Sequence, residues 1–129
     1  MMKVAEPRFL EFVYTSLFER TRKGVLTDAE VRALEDALLE NCLDGDLVAN
    51  TGGVRKDGVA QDGRGKSGST RVMYLYVQEQ GTVYFLFAFP KNIQGNLTAD
   101  QKRLIRGMAD DIRREPWPRS GQHRHKGAI

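Results

Sequence analysis

Two apolar runs, Thr70–Gln78 (TRVMYLYVQ) and Thr82–Phe89 (TVYFLFAF), constrain this chain more than any other stretch of it. Both are dense in Val, Tyr and Phe, the residue types that fit a pleated, buried surface. Neither alternates apolar with polar, so both faces of each strand are expected to be covered, as in the middle of a sheet packed on a helix. Only Glu79-Gln80-Gly81 separates them, which makes an antiparallel hairpin the natural connection. The aromatic set Tyr84, Phe85, Phe87 and Phe89 is then expected in the core rather than as a base-stacking platform.

The helices announce themselves at their starts. Thr27-Asp28-Ala29-Glu30 has the form of a capping box, with Leu26 and Val31 at the positions of a hydrophobic staple. Val31, Leu34, Leu38 and Cys42 follow at helical spacing, predicting a helix to about Asn41 and an exit turn at Asp44-Gly45-Asp46. A second box, Thr98-Ala99-Asp100-Gln101, opens a helix with Leu104, Ile105, Met108 and Ile112 on one face, stopped before Pro116. Ahead of these, Phe9–Tyr14 reads as a first strand and Ser16–Lys23 as a brief helix ending at Gly24, with Leu17 and Phe18 inward. Between them, Leu47–Ala60 is extended but interrupted at Thr51-Gly52-Gly53, and Gln61–Ser69 reads as a polar loop. The fold class is α+β: a β-α-α start, an antiparallel sheet and a C-terminal helix. Residues 1–115 form the one domain, and 116–129, without periodicity and rich in Arg, His, Gly and Pro, are expected as a mobile basic tail.

With 129 residues the chain can bury one core. A hydrophobic share of 40% beside 29% charged residues is that of an ordinary soluble domain. The net charge of +3 is too small for a polycation, yet a pI near 9.2 leans toward an anionic partner. The single cysteine, Cys42, excludes an internal disulfide framework and a cysteine-rich zinc site, and its place on the apolar helix face suits a structural role. No apolar run reaches the roughly 18 residues of a membrane span, and Met1–Pro7 lacks the apolar stretch of a signal peptide. The cytoplasm is the expected compartment, with no membrane partner.

The charge is concentrated. Arg55, Lys56, Arg64, Lys66 and Arg71 fall in one glycine-broken segment, opposed only by Asp57 and Asp62. Gly63-Arg64-Gly65-Lys66-Ser67-Gly68 invites comparison with a nucleotide-binding P-loop, but the required first glycine is replaced by Ala60. That motif must also feed a helix whose N-terminus holds phosphate, and here the segment feeds a strand. The cations themselves are the better phosphate ligands. In an antiparallel hairpin the start of one strand lies beside the end of the other, so Lys91 returns to the end of the sheet where Arg71 begins. Arginine offers bidentate contacts to phosphate, and glycines let backbone approach a polyanion. A merely solvated charged loop remains the competing interpretation.

Such a site suits RNA. If the neighbouring 2′-hydroxyl is the nucleophile, cleavage requires withdrawal of its proton, stabilisation of a phosphorane, and protonation of the leaving 5′-oxygen. The only histidines, His123 and His125, lie in the tail. Lysine crowded by other cations can act as the base, and arginine suits charge stabilisation. Tyr74 and Tyr76 can assist, though both are expected in the core or on the sheet surface. His123-x-His125 with Cys42 is too sparse for a metal site, and no cofactor is expected.

The spaced combination Thr51-Gly52-Gly53-Val54-Arg55-Lys56, Gly63-Arg64-Gly65-Lys66-Ser67-Gly68, Arg71-Val72-Met73-Tyr74 and Lys91-Asn92 resembles the RelE superfamily of bacterial toxins, most nearly its HigB-like branch, over Phe9–Ile112. The resemblance implies an antiparallel sheet backed by two N-terminal helices, in agreement with the element order above. It implies a type II toxin–antitoxin toxin that enters the ribosomal A site and cleaves messenger RNA without a metal. It also implies a cognate helix-turn-helix antitoxin and contact with operator DNA only through the antitoxin complex. By position, Arg71 matches the phosphate-stabilising arginine, Arg64 and Lys66 a basic pair, and Lys91 a basic residue after the last strand. These four are the catalytic candidates, with Arg55 and Lys56 as RNA-binding residues. Two departures stand out: Asp57-Gly58 interrupts a stretch usually more apolar or basic, and no tyrosine follows Lys91. A non-cleaving RNA-binding or degenerate toxin, and a ParE-type gyrase inhibitor, stay open as alternatives.

Overall fold

The computed structural model describes residues 9–61, 65–91, 96–114 and 122–127. Among them the elements run β1 (Phe9–Tyr14), α1 (Ser16–Arg22), α2 (Asp28–Glu40), β2 (Asp46–Leu47), β3 (Arg55–Gln61), β4 (Gly65–Val77), β5 (Thr82–Pro90), α3 (Ala99–Arg114) and β6 (Gln122–Gly127). The described strands form one sheet in the order β2-β3-β4-β5-β1-β6.

Local chemistry accounts for most boundaries. The Thr27 hydroxyl accepts from the Glu30 amide at 3.1 Å, and the Glu30 carboxylate accepts from the Thr27 amide at 2.9 Å, closing the expected box at the start of α2. Thr98 and Gln101 exchange the same pair of bonds before α3. Thr15 caps α1 by accepting from the Phe18 amide at 3.2 Å. β4 and β5 form the expected hairpin through a single 3₁₀ turn at Gln78–Gln80, closed by Gly81 in the left-handed region at φ 62°.

Each face of the sheet carries its own core. On one, Phe12, Tyr14, Val72, Tyr74, Val83 and Phe85 pack with Phe18 of α1 and Val31, Leu34 and Leu38 of α2. Phe85 anchors it, with the Phe12 ring stacked at 5.7 Å and the Phe18 ring at 5.1 Å. On the other, Met73, Leu75, Leu86, Phe87 and Phe89 pack with Ile105, Ala109 and Ile112 of α3. The inference of two covered faces therefore holds, and Tyr84, Phe85, Phe87 and Phe89 are all buried, as is Cys42.

The structure differs from the sequence expectations at four places. The sheet is mixed rather than wholly antiparallel, because β1 runs parallel to β5, with Phe12 opposite Val83. The segment between them contains two helices and the β2–β4 strands, long enough for the crossover that parallel pairing demands. β4 begins at Gly65, not Thr70, so part of the presumed polar loop is strand; backbone pairing with β3 extends it where side chains give no signal. Leu104, assigned to the buried face of α3, is 51% exposed, and Ala109 takes its place inward. Finally, the segment expected as a mobile tail contains β6, which pairs antiparallel with β1 from Phe9↔Gly127 to Tyr14↔Gln122. Residues 116–121 and 128–129 of that segment lie outside the described residues.

Candidate nucleic-acid interface

The pairing register decides which cations share a face. Across β3 and β4, Arg55 stands opposite Tyr74, Lys56 opposite Met73 and Gly58 opposite Arg71. Across β4 and β5, Arg71 stands opposite Phe89 and Thr70 opposite Pro90. Directly opposed residues project to the same face, so Lys56 and Arg71 lie on the α3 side with Met73 and Phe89. Lys91, exposed, follows Pro90 at the same end of the sheet. The expected approach of Lys91 to Arg71 is therefore present in the strand register.

A β-bulge contributes to this. Met73 pairs with Phe87 and Tyr74 with Phe85, leaving Leu86 as an extra residue in β5. Leu86 and Phe87 consequently both belong to the α3-side core. From Phe87 onward the alternation of β5 is inverted, which brings Phe89 to the face of Arg71.

Arg55 is not part of this group. Its guanidinium donates to the Gly45 carbonyl at 2.7 Å and the Leu43 carbonyl at 3.3 Å, tying β3 to the turn after α2. Tyr74 completes the same latch from the sheet: its hydroxyl accepts from the Gly45 amide at 2.9 Å and donates to the Cys42 carbonyl at 3.0 Å. Burial pushes the Tyr74 phenol up to about 12, with the Gly45 bond pulling against it and the Asp57 charge adding to it. Tyr74 is thus a buried structural donor, and Tyr76 is half-buried against the helix-side core. Gly45 admits no side chain here, since a Cβ would stand 2.6 Å from the Lys56 carbonyl oxygen and 2.9 Å from a Tyr74 ring carbon.

Of the remaining candidates, Arg64 lies outside the described residues, and Lys66 is located only by its backbone in β4. His123 and His125 are in β6, separated from β4 by β5 and β1. Three strand spacings amount to roughly 14 Å, too far to share one phosphate with Arg71.

Two clefts flank Lys56. One, of ≈ 340 Å³, is lined among the described residues by Lys56 and Arg71 together with Asp44, Asp46, Asp57 and the backbone of Gly45 and Gly58. The other, of ≈ 200 Å³, lies between the β2–β3 connection and α3; among the described residues its charged lining is Lys56 and Lys102. Lys102 is not among the sequence candidates, because the apolar stripe of α3 does not tell what its polar face meets. Its signal was faint but present: on α3 the neighbouring Arg103, Arg106 and Arg114 are paired with Asp100, Asp110 and Asp111 at helical spacing, whereas Lys102 borders the cleft.

The arrangement defines a class: a small α+β protein whose sheet carries Lys56, Arg71 and Lys91 toward one end, the first two in a cleft shared with Asp44, Asp46 and Asp57. The model of the RelE toxin of the RelE/RelB toxin–antitoxin system matches residues 12–115, and the chain belongs to that family. A free-state structure of E. coli toxin RelE carrying two arginine-to-alanine substitutions is similar over 68% of this chain and 88% of that one, at 12% identity and a TM-score of 0.47. As a family member the chain is a toxin of a toxin–antitoxin pair, and an antitoxin is its implied partner. Among the described residues no helix is long and apolar enough to cross a membrane.

Proposed function

We propose that this toxin is a messenger RNA endoribonuclease that acts in the ribosomal A site and arrests translation. The observation that supports it most directly is the strand register: Lys56 and Arg71 share one sheet face, and Lys91 follows at the same end. Arg71 and Lys91, on adjacent strands, can contact one phosphodiester while Lys56 contacts a neighbouring one of the same strand, and such contacts supply binding without reading sequence.

The chemistry follows from those residue types. A lysine, Lys66 or Lys91, takes the proton of the 2′-hydroxyl, and the 2′-oxygen attacks the adjacent phosphorus. Arg71 and Arg64 hold the doubly charged phosphorane, since guanidinium stays protonated. The bond to the 5′-oxygen breaks, that oxygen takes a proton from the lysine ammonium so formed, and a 2′,3′-cyclic phosphate remains on the upstream fragment. No metal enters these steps. Lys56 holds the strand, and Arg55, engaged with the Leu43 and Gly45 carbonyls, positions the turn beside it. A helix-turn-helix antitoxin neutralises the toxin, and the pair meets operator DNA through the antitoxin.

The test is induction of wild type and of Arg71→Ala, with primer extension on translated messages. Codon-phased cuts and growth arrest are expected from the wild type and neither from the variant, which should remain folded because Arg71 is only half-buried. An Arg71→Ala protein that arrests growth as strongly as wild type overturns the assignment. Growth arrest with a DNA-damage response and no message cleavage points instead to gyrase, and RNA binding without cuts to a degenerate toxin.

A further inference from the structure

We infer that the cleft between the β2–β3 connection and α3 is a nucleobase subsite, which takes one unstacked base of the RNA strand whose phosphate lies at Arg71. The inference rests on the RNA-cleaving function proposed above and deepens it.

Composition separates this cleft from its neighbour. The floor is formed by Met73 and Phe89, both buried, and the walls by Leu47 on the β2 side and Leu97 before α3. Among the described lining residues the only charges are two cations on opposite sides, Lys56 from β3 and Lys102 from α3. The adjoining cleft, in contrast, sets three carboxylates beside its two cations. An apolar cleft under a cationic rim matches a nucleotide: the ring packs against Leu47 and Leu97 above Phe89, while the backbone keeps its charge near ammonium groups.

Size and continuity agree with that occupant. At ≈ 200 Å³ the cleft falls below the ~300–1,000 Å³ of sites that enclose whole small molecules, and suits one ring system. Lys56 lines both clefts, so a phosphate beside Arg71 and a base beside Phe89 can belong to one nucleotide. Leu47, 61% exposed at the rim, gains cover when a base enters. An apolar side chain of a protein partner can fill such a floor too, but the two lysines favour a polyanion.

Ala49, exposed on the wall, offers a way to fill the cleft without removing a cation or a core residue. Cut sites in cellular messages are mapped by 5′-end sequencing after induction of wild type, Ala49→Phe and Lys102→Gln. The wild type is expected to show a purine–pyrimidine bias at one position beside the cut, and Ala49→Phe to reduce that bias about tenfold, the scale of one base–aromatic stack. Lys102→Gln, on the helix surface, should lower cutting about tenfold at all sites, and keeps the inference testable if Ala49→Phe does not fold. Unchanged cutting and unchanged bias in both variants overturn the subsite while leaving the endonuclease intact. If Ala49→Phe alters only neutralisation by the antitoxin, the cleft belongs to a protein partner and the inference fails. Absence of cuts from folded wild type overturns the endonuclease itself, a different and separately readable result.

Discussion

Arg71 on β4 stands directly across from Phe89 on β5, so a guanidinium and a buried aromatic ring share one face at the end of the sheet. That pairing joins the two halves of the site. One side of it leads along β3 to Lys56 and the other along β5 to Lys91. It exists because the bulge at Leu86 inverts the alternation of β5 before Phe89 is reached.

The cations should be readable in the salt dependence of RNA binding. Each lysine or arginine that neutralises a phosphate contributes about 0.7 to the slope of log affinity against log salt on single strands. Lys56→Ala is expected to lower that slope by about this amount and Arg55→Ala to leave it nearly unchanged, because Arg55 is spent on the Gly45 and Leu43 carbonyls. Fluorescence anisotropy with a labelled single-stranded RNA across a salt series decides it; equal loss in the two variants would place Arg55 on the RNA.

Removing the Tyr74 hydroxyl leaves the Gly45 amide and the Cys42 carbonyl without a partner they now have. Tyr74→Phe should therefore cost about 1–3 kcal/mol, measured as a lower urea midpoint at unchanged slope. The phenol also predicts a pH signature. Its folded value is raised to about 12 from an ordinary 10.0, so the unfolded chain ionises first as pH rises. The stabilisation is complete below about pH 10 and is lost as pH climbs toward 12, on the order of 2 kcal/mol in all. Tyr74→Phe should flatten that alkaline decline, and an identical decline in the variant would assign it to another group.

Two glycines should respond with opposite signs. At Gly45 a methyl meets the Lys56 carbonyl oxygen at 2.6 Å, backbone that cannot step aside, so Gly45→Ala should destabilise by about 1–3 kcal/mol. At Gly107, inside α3, a methyl meets nothing within 4 Å. Gly107→Ala should stabilise by about 0.5–1 kcal/mol through helix propensity. Thermal melts of the two single variants test both statements, and a stabilised Gly45→Ala would contradict the packing described for the turn.

Truncation after Arg114 removes β6 and leaves β1 as an open edge. Amides of Phe9–Tyr14 that pair with β6 should lose hydrogen-exchange protection by tenfold or more, while those paired with β5 keep theirs. An open edge also invites pairing between copies, so the truncated protein should elute larger with rising concentration. Unaltered exchange in β1 would mean that β6 contributes no protection.

Much of the fold was legible because its determinants are local. The two capping boxes mark the starts of α2 and α3 within a few residues of sequence, and hydrogen bonds inside those residues carry them out. The β4–β5 hairpin was equally legible, since three residues between two doubly apolar strands leave little freedom of connection. From that hairpin alone the return of Lys91 to the end held by Arg71 could be deduced, along with the two covered faces of the sheet.

What tertiary structure alone decided is of a different kind. Strand alternation has a period of two, so one extra residue exchanges faces, and nothing in the run TVYFLFAF marks Leu86 as that residue. The adjacency of Arg55 and Lys56 in sequence sends them to opposite faces, where one latches the turn at Gly45 and the other borders both clefts. The parallel seat of β1 beside β5, the strand β6 on its far edge, and Lys102 across from Lys56 all depend on pairing between distant segments. The backbone donors and acceptors that make those pairings are identical at every residue. Residue types therefore set the helices, the hairpin and the supply of cations, and only long-range packing could choose which cations meet.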